Sequence, residues 1–195
     1  MNQAGNTSDT RERILDVAEA LVQRCGPNGM SYQDISREVG IRKASIHHHF
    51  PTKEDLLVEL VERYGRNSLA LLDGLVASPL GAVAKLEELF VLEEAEVRDG
   101  RKACLFAMVT AESQRSDSRP MERVRHYVKE IEERFAAILK QGRDEGSLHF
   151  GGDPREVAAS LFSFIQGVMF NARINTEPEW FRGMCRQMLR LLGAG

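Results

Sequence analysis

The chain is poor in several things at once: three cysteines, one tryptophan and six prolines in 195 residues. Cys25, Cys104 and Cys185 are odd in number, widely separated and at no metal-ligand spacing. They encode neither a disulfide framework nor a zinc site, and reduced thiols of a cytoplasmic protein are expected. The longest mostly apolar stretch, 157–170, is interrupted by Ser160, Ser163 and Gln166 and is too short to span a bilayer, so no membrane partner is expected. Residues 1–9 are polar, lack the apolar core of a signal peptide and read as a loose tail. An excess of positive charge is missing too: the net charge of −3 argues against a chain that coats nucleic acid regardless of sequence.

Catalytic and metal chemistry find little support. No strand alternation and no internal repeat occurs, so a P-loop, a G-x-S-x-G elbow or a dinucleotide fingerprint has no strand to follow. His47, His48 and His49 are consecutive. On a helix they diverge by about 100° per residue and cannot converge on one ion. His126 and His149 are far apart without a carboxylate at ligand spacing. No metal, no cofactor and no enzymatic activity are expected.

What is present is helix after helix. With 28% charged and 43% hydrophobic residues, the composition is that of an ordinary globular protein. Ile14, Leu15, Ala18, Leu21 and Val22 share one face of a first helix that ends at Gly26, before Pro27-Asn28-Gly29. A long helix from Thr52 to about Ala77 carries Leu56, Leu57, Leu60, Val61, Leu71, Leu72 and Leu75. Ser78-Pro79 reads as a cap and first-turn proline opening a helix to about Asp99. Gly100 then separates it from a short apolar segment, 103–111. An amphipathic helix through Val124, Val128, Ile131, Phe135, Ile138 and Leu139 ends near Gly146. Asp153-Pro154 starts the next, to about Ile174, and Pro178 another, to the C-terminus.

The most informative stretch is 31–57, SYQDISREVGIRKASIHHHFPTKEDLL. Ser31 is a good N-cap, Asp34 can complete a capping box, and Met30 and Ile35 stand at the hydrophobic-staple positions. Gly40 supplies the left-handed residue that ends this helix. Arg42 to His49 makes a helix of roughly 12 Å before Pro51 stops it. Thr52, with Asp55 three residues on, caps the next. A short helix across a glycine turn, braced before and after, is the helix-turn-helix arrangement for the major groove of DNA. Residues 1–65 hold eight Lys/Arg against ten Asp/Glu, so the positive charge is local, at Arg37, Arg42, Lys43 and Lys53. Local charge suits docking at a specific site, where a few phosphate contacts fix the register.

The order Ile35, Val39-Gly40-Ile41, Ser45-Ile46, Phe50-Pro51, Lys53-Glu54, Leu56-Leu57 resembles the DNA-binding head of the tetracycline-repressor-like (TetR) family. Arg13-Ile14-Leu15, Ala18, Leu21 and Gly26 stand where that family keeps its first helix, so the resemblance covers about residues 10–64. It implies an all-α protein: a three-helix helix-turn-helix domain at 10–55, with a linking helix continuing to about 64. A larger helical effector-binding and dimerisation domain at 65–195 follows. It implies a homodimeric one-component regulator, a repressor released from a palindromic operator by a small-molecule effector. DNA contact falls to Ser31, Tyr32 and Gln33 and to Arg42, Lys43, Ala44, Ser45, His47, His48 and Lys53. The family usually has tyrosine at the positions held here by His47 or His48, a departure from its pattern.

In the helix from Asp153, Val157, Leu161, Phe164 and Val168 form one apolar stripe, and Ala158, Phe162, Ile165 and Met169 a second. Both need cover. The resemblance implies that one faces a second subunit, which makes Leu161, Phe164, Ile165 and Val168 the candidate interface; a central core helix is the alternative. In the larger domain Glu93 interrupts the stripe Leu86, Leu89, Phe90 and Val97. A carboxylate there is costly to bury unpaired. It is either a partly exposed or Arg-paired acid, or a ligand contact in a cavity with Phe90, Phe106 and Tyr127. Cys104, before the apolar segment, reads as packing or as a thiol sensor lining the same cavity. The rival reading of the whole chain is a helical ligand-binding or scaffold protein without specific DNA binding. Arg42, Lys43, Ser45 and Lys53 speak against it.

Overall fold

The structure is a computed structural model and describes residues 3–98, 102–113, 115–175 and 177–194. Among the described residues it contains nine α-helices: α1 (Gln3–Gly29), α2 (Tyr32–Val39), α3 (Lys43–His49), α4 (Lys53–Ala77), α5 (Ala82–Arg98), α6 (Leu105–Glu112), α7 (Arg119–Asp144), α8 (Pro154–Ala172) and α9 (Pro178–Leu191). The architecture is all-α. The expected break at Gly100 lies outside the described residues, as do Asp99 and the first two residues of the expected tail.

Two local expectations are corrected. The backbone of 3–9 is helical and continuous with α1, not a loose tail, because extending an existing helix costs far less than nucleating one. Ser78 does not cap α5; its hydroxyl donates to the Leu75 carbonyl at 2.8 Å and closes α4. The amide that starts α5, Ala82 N–H, donates instead to the Glu145 carboxylate at 2.7 Å, from beyond the end of α7. A side chain 63 residues away does the capping that local sequence assigned to Ser78.

The chain packs as two compact units, Met1–Gly65 with Cys104–Arg125, and Arg66–Ala103 with His126–Gly195. In the first, Ile14, Leu15, Ala18 and Val22 of α1, Ile35 of α2, Ile46 of α3 and Leu56, Leu60 and Val61 of α4 are all buried. Each large aliphatic side chain so buried contributes about 1.5–3 kcal/mol. Arg63 on α4 spans Glu12, Asp16 and Glu19 on α1 at 3.4, 2.7 and 2.8 Å. The α6 helix packs on α1, with Phe106 edge-on to Tyr64 at 5.0 Å between ring centroids. The first turns of α7 are tied to α4 by Arg119 on Asp55 (2.8 Å) and Arg123 on Glu62 (3.0 Å).

In the second unit, Leu86, Leu89 and Phe90 of α5, Leu161, Ile165 and Met169 of α8, and Phe181 and Cys185 of α9 are buried. Phe135 of α7 meets Phe162 of α8 at 6.4 Å. Lys85 is a buried cation there, its Nζ donating to the Val76 carbonyl and the Gln141 side chain, both at 2.8 Å.

Candidate nucleic-acid interface

The helix before the turn, α2, is set by its two ends. Ser31 and Asp34 form a reciprocal capping box: the Asp34 amide donates to Ser31 Oγ at 3.3 Å and the Ser31 amide to Asp34 Oδ2 at 3.2 Å. The Ser31 hydroxyl bond, with Arg37 beside it, holds the Asp34 carboxyl below the usual carboxylate range. Met30 and Ile35 are both buried under the cap. Gly40 is left-handed at φ 75° and donates to the Ser36 carbonyl at 3.0 Å. Only such a residue turns the chain this sharply without a Cβ penalty. The Arg13 guanidinium donates to the Val39 carbonyl at 2.7 Å, satisfying the end of α2.

Beyond the turn, α3 buries Ile46 and exposes Lys43, Ala44, Ser45, His47 and His48. These five, with exposed Arg42 before them and Ser31 and Gln33 at the start of α2, are brought to the surface of one unit. They supply two cations, two hydroxyls, an amide and two imidazoles, which is the chemistry for phosphate and base-edge contacts.

Two expected DNA contacts carry structural work as well. The Lys53 ammonium, half-buried, donates to the Met30 carbonyl at 2.9 Å, tying the start of α4 to the approach of α2. The Tyr32 hydroxyl lies 2.8 Å from both the Phe50 and the Thr52 carbonyl, fastening α2 to the α3–α4 junction. Burial, with Asp55 nearby, pushes the Tyr32 phenol up to about 12. Its ring packs against His47 at 4.7 Å. His49 is half-buried, and burial, then the charges of His48 and Arg11, lower its pKa. It belongs to the packing of α3 more than to the exposed face.

The residues suggested for an effector cavity are divided. Phe90, Glu93 and Tyr127 belong to the second unit, and Cys104 and Phe106 to the first. Phe90, Tyr127, Cys104 and Phe106 are buried and Glu93 is half-buried. Among the described residues no cation pairs with Glu93 and nothing donates a hydrogen bond to it. Burial, and then the charge of Glu96, push its carboxyl up to about 7. The acid that pairs with arginine is its neighbour Glu94, with Arg98 at 2.6 Å and Arg182 at 3.1 Å. Of the suggested dimer contacts, Leu161, Ile165 and Val168 are already covered by the chain's own helices. Only Phe164 keeps part of its surface. The uncovered apolar side chains on these helices and just beyond are Phe170, Ile174 and Leu191.

Sequence reading missed Arg119, Arg123 and Glu112, which fasten α6 and α7 into the first unit. They sit outside the 10–64 motif, and nothing in their local sequence marks a long-range partner. No group of His, Cys, Asp and Glu among the described residues could hold a metal ion, and no helix there is long and apolar enough to cross a membrane.

Two family models match the chain: "Bacterial regulatory proteins, tetR family" over residues 14–60, and "Tetracyclin repressor-like, C-terminal domain" over 82–188. A transcriptional regulator of the TetR family from Agrobacterium tumefaciens superposes with a TM-score of 0.89 at 30% identity, over 96% of this chain and 99% of that one. The HTH-type transcriptional repressor KstR2 of Mycobacterium tuberculosis is 25% identical over 144 residues, 73% of this chain and 71% of the repressor. FadR of Bacillus subtilis, solved in complex with stearoyl-CoA, shares the fold with a TM-score of 0.72 at 19% identity, over 93% of this chain and 96% of that one.

Proposed function

The chain belongs to the TetR family of bacterial regulatory proteins and is a helix-turn-helix transcriptional regulator, and from that premise we propose how it works. It binds a near-palindromic operator as a homodimer, represses transcription there, and is released by a small molecule held in its second unit. The observation that carries the DNA part is the exposed set Arg42, Lys43, Ser45, His47 and His48 on a helix whose far side is locked by Ile46. One head of this size reaches few base pairs; two heads on a two-fold axis read two half-sites. Phe164, Phe170, Ile174 and Leu191 supply apolar surface on and beside α8 and α9 for pairing two chains.

The effector is a molecule with a cationic or hydrogen-bond-donating group beside an apolar part. Glu93 supports this, as a half-buried carboxylate among the apolar side chains of α5 with no partner among the described residues. Release requires that the effector favour a conformation unable to engage both half-sites, since equal affinity for both shifts nothing. Duplexes selected from a random library, then titrated by fluorescence anisotropy at several salt concentrations, test the reading. The expected result is a two-fold-symmetric consensus and a steep fall of affinity with salt, because neutralised phosphates release counterions. Binding that ignores sequence or salt overturns it.

A further inference from the structure

His47 and His48 are the part of the recognition helix that neither metal chemistry nor burial accounts for. His47 is exposed, and its Nδ1 lies 3.3 Å from the Pro51 carbonyl oxygen. A carbonyl only accepts, so Nδ1 carries the proton and donates it. The neutral ring then has its lone pair on Nε2, and that nitrogen is an acceptor. The Tyr32 ring against the imidazole, 4.7 Å between centroids, fixes the ring from the α2 side. The tautomer is therefore set by backbone at the α3–α4 junction, before any DNA arrives.

Resting on the DNA-binding reading above, we infer that neutral His47 selects amino bases over keto bases in the major groove, and that protonation turns it from cytosine to the acceptor edges of guanine and thymine. The major-groove edge of adenine offers an N6 amino donor and that of cytosine an N4 amino donor; thymine and guanine offer O4 and O6 acceptors. A neutral His47 accepts from adenine or cytosine and finds no donor on guanine or thymine. When Nε2 takes up a proton it becomes a donor, and the matching partners are guanine O6 or N7, thymine O4 and adenine N7; cytosine alone offers none. The Nδ1–H bond to Pro51 persists in both states, so only the outward nitrogen changes sign.

The charged and titratable groups about the imidazole come from α2, α3 and α4. From α2 comes the Tyr32 phenol, held protonated up to about 12, and behind it Asp55 of α4, which bears on Tyr32. On α3 itself Lys43 stands one turn back and His48 next in sequence. No carboxylate among the described residues pairs with His47. Imidazole is the side chain that ordinarily changes charge between about pH 5 and 8.

The test selects randomised duplexes with the full chain at about pH 8 and about pH 5.5, bracketing imidazole titration, and sequences them. One operator column and its symmetry mate should favour A or C on one strand at the higher pH. The same column should lose C and admit G or T at the lower, with A retained through its N7, each change being roughly three- to ten-fold, the worth of one hydrogen bond. Columns read by Lys43 and Ser45 should stay as they are. His47→Gln, whose amide does not titrate, should abolish the swing, and His48→Gln should keep it. A wild-type pattern identical at both pH values, or a swing that survives His47→Gln, overturns the inference. The absence of any enriched column at either pH overturns the DNA-binding reading with it. Long-range 1H–15N couplings of the free protein at about pH 8 give the tautomer directly; a proton on Nε2 refutes the proposal whatever the selection shows.

Discussion

Replacing Gly26 by alanine should cost the first unit far more than an ordinary surface change, and the structure says how the cost divides. Gly26 sits at φ 76°, ψ 167°, a region essentially confined to glycine, so alanine there costs about 1–3 kcal/mol in backbone strain. The new Cβ would lie 2.0 Å from Glu112 Oε1 and 2.4 Å from its Cδ. Glu112 is the last residue of α6 and accepts the Asn28 amide at 2.6 Å. Its carboxylate would have to swing away, losing a charge-assisted hydrogen bond worth about 1.5–3 kcal/mol. Gly26→Ala should therefore lose about 2.5–6 kcal/mol, the sum of both terms. Glu112→Ala should lose only the bond. The double variant should cost no more than Gly26→Ala alone, since the bond is already broken there; the cycle then shows a coupling of about 1.5–3 kcal/mol. Fluorescence of the one tryptophan, Trp180, reports on the second unit. Amide exchange in α1, α2 and α6 is the appropriate assay, because it reads local opening free energies. Additive effects of the two substitutions, or a loss below about 1 kcal/mol for Gly26→Ala, would refute the reasoning, as strain alone exceeds that.

Lys53→Ala should weaken binding to all duplexes alike and also destabilise the first unit by about 1–2 kcal/mol through the lost Met30 bond. Lys43→Ala should leave stability unchanged and relax preference among operator variants; a reversed pattern in anisotropy and melting would mean that α3 is turned otherwise on DNA. Glu93 is favoured in its protonated form, with its carboxyl raised from 4.5 to about 7. The folded state holds that proton longer than the unfolded one, so stability should fall as pH rises through this window and stay low above it. Glu93→Gln should flatten this dependence and melt above wild type at alkaline pH; a lower midpoint there would reveal a structural ion pair and sink the effector-contact reading. Phe170→Glu with Ile174→Glu, both at uncovered positions, should leave the helical spectrum intact and shift the sedimenting species from dimer to monomer. A dimer that persists places the interface elsewhere.

Much of the first unit was legible because its determinants are local. Ser31 with Asp34, Gly40, Pro51 and Thr52 with Asp55 each act within about one helical turn, and the structure realises those caps and stops in place. The spacing of Ile35, Ile46, Phe50 and Leu56 likewise fixes which faces are buried. The exposed set of α3 then follows from helical geometry alone.

The sequence by itself thus determined the helices, their main turns, the exposed face of α3 and, through its motifs, the family. Tertiary structure decided which partners distant side chains take. It drew α6 and the start of α7 into the same unit as α1 through Glu112, Arg119 and Arg123. Chain order had assigned those helices to the larger domain. It gave the cap of α5 to Glu145, the Lys53 ammonium to Met30, and the cover of Leu161, Ile165 and Val168 to the chain's own helices. The physical reason is one of range. Capping, turn geometry and periodicity are written within a few residues, whereas a hydrogen bond spanning 84 positions, as between Asn28 and Glu112, leaves no periodic trace. Such a bond exists only once packing has brought its two ends together.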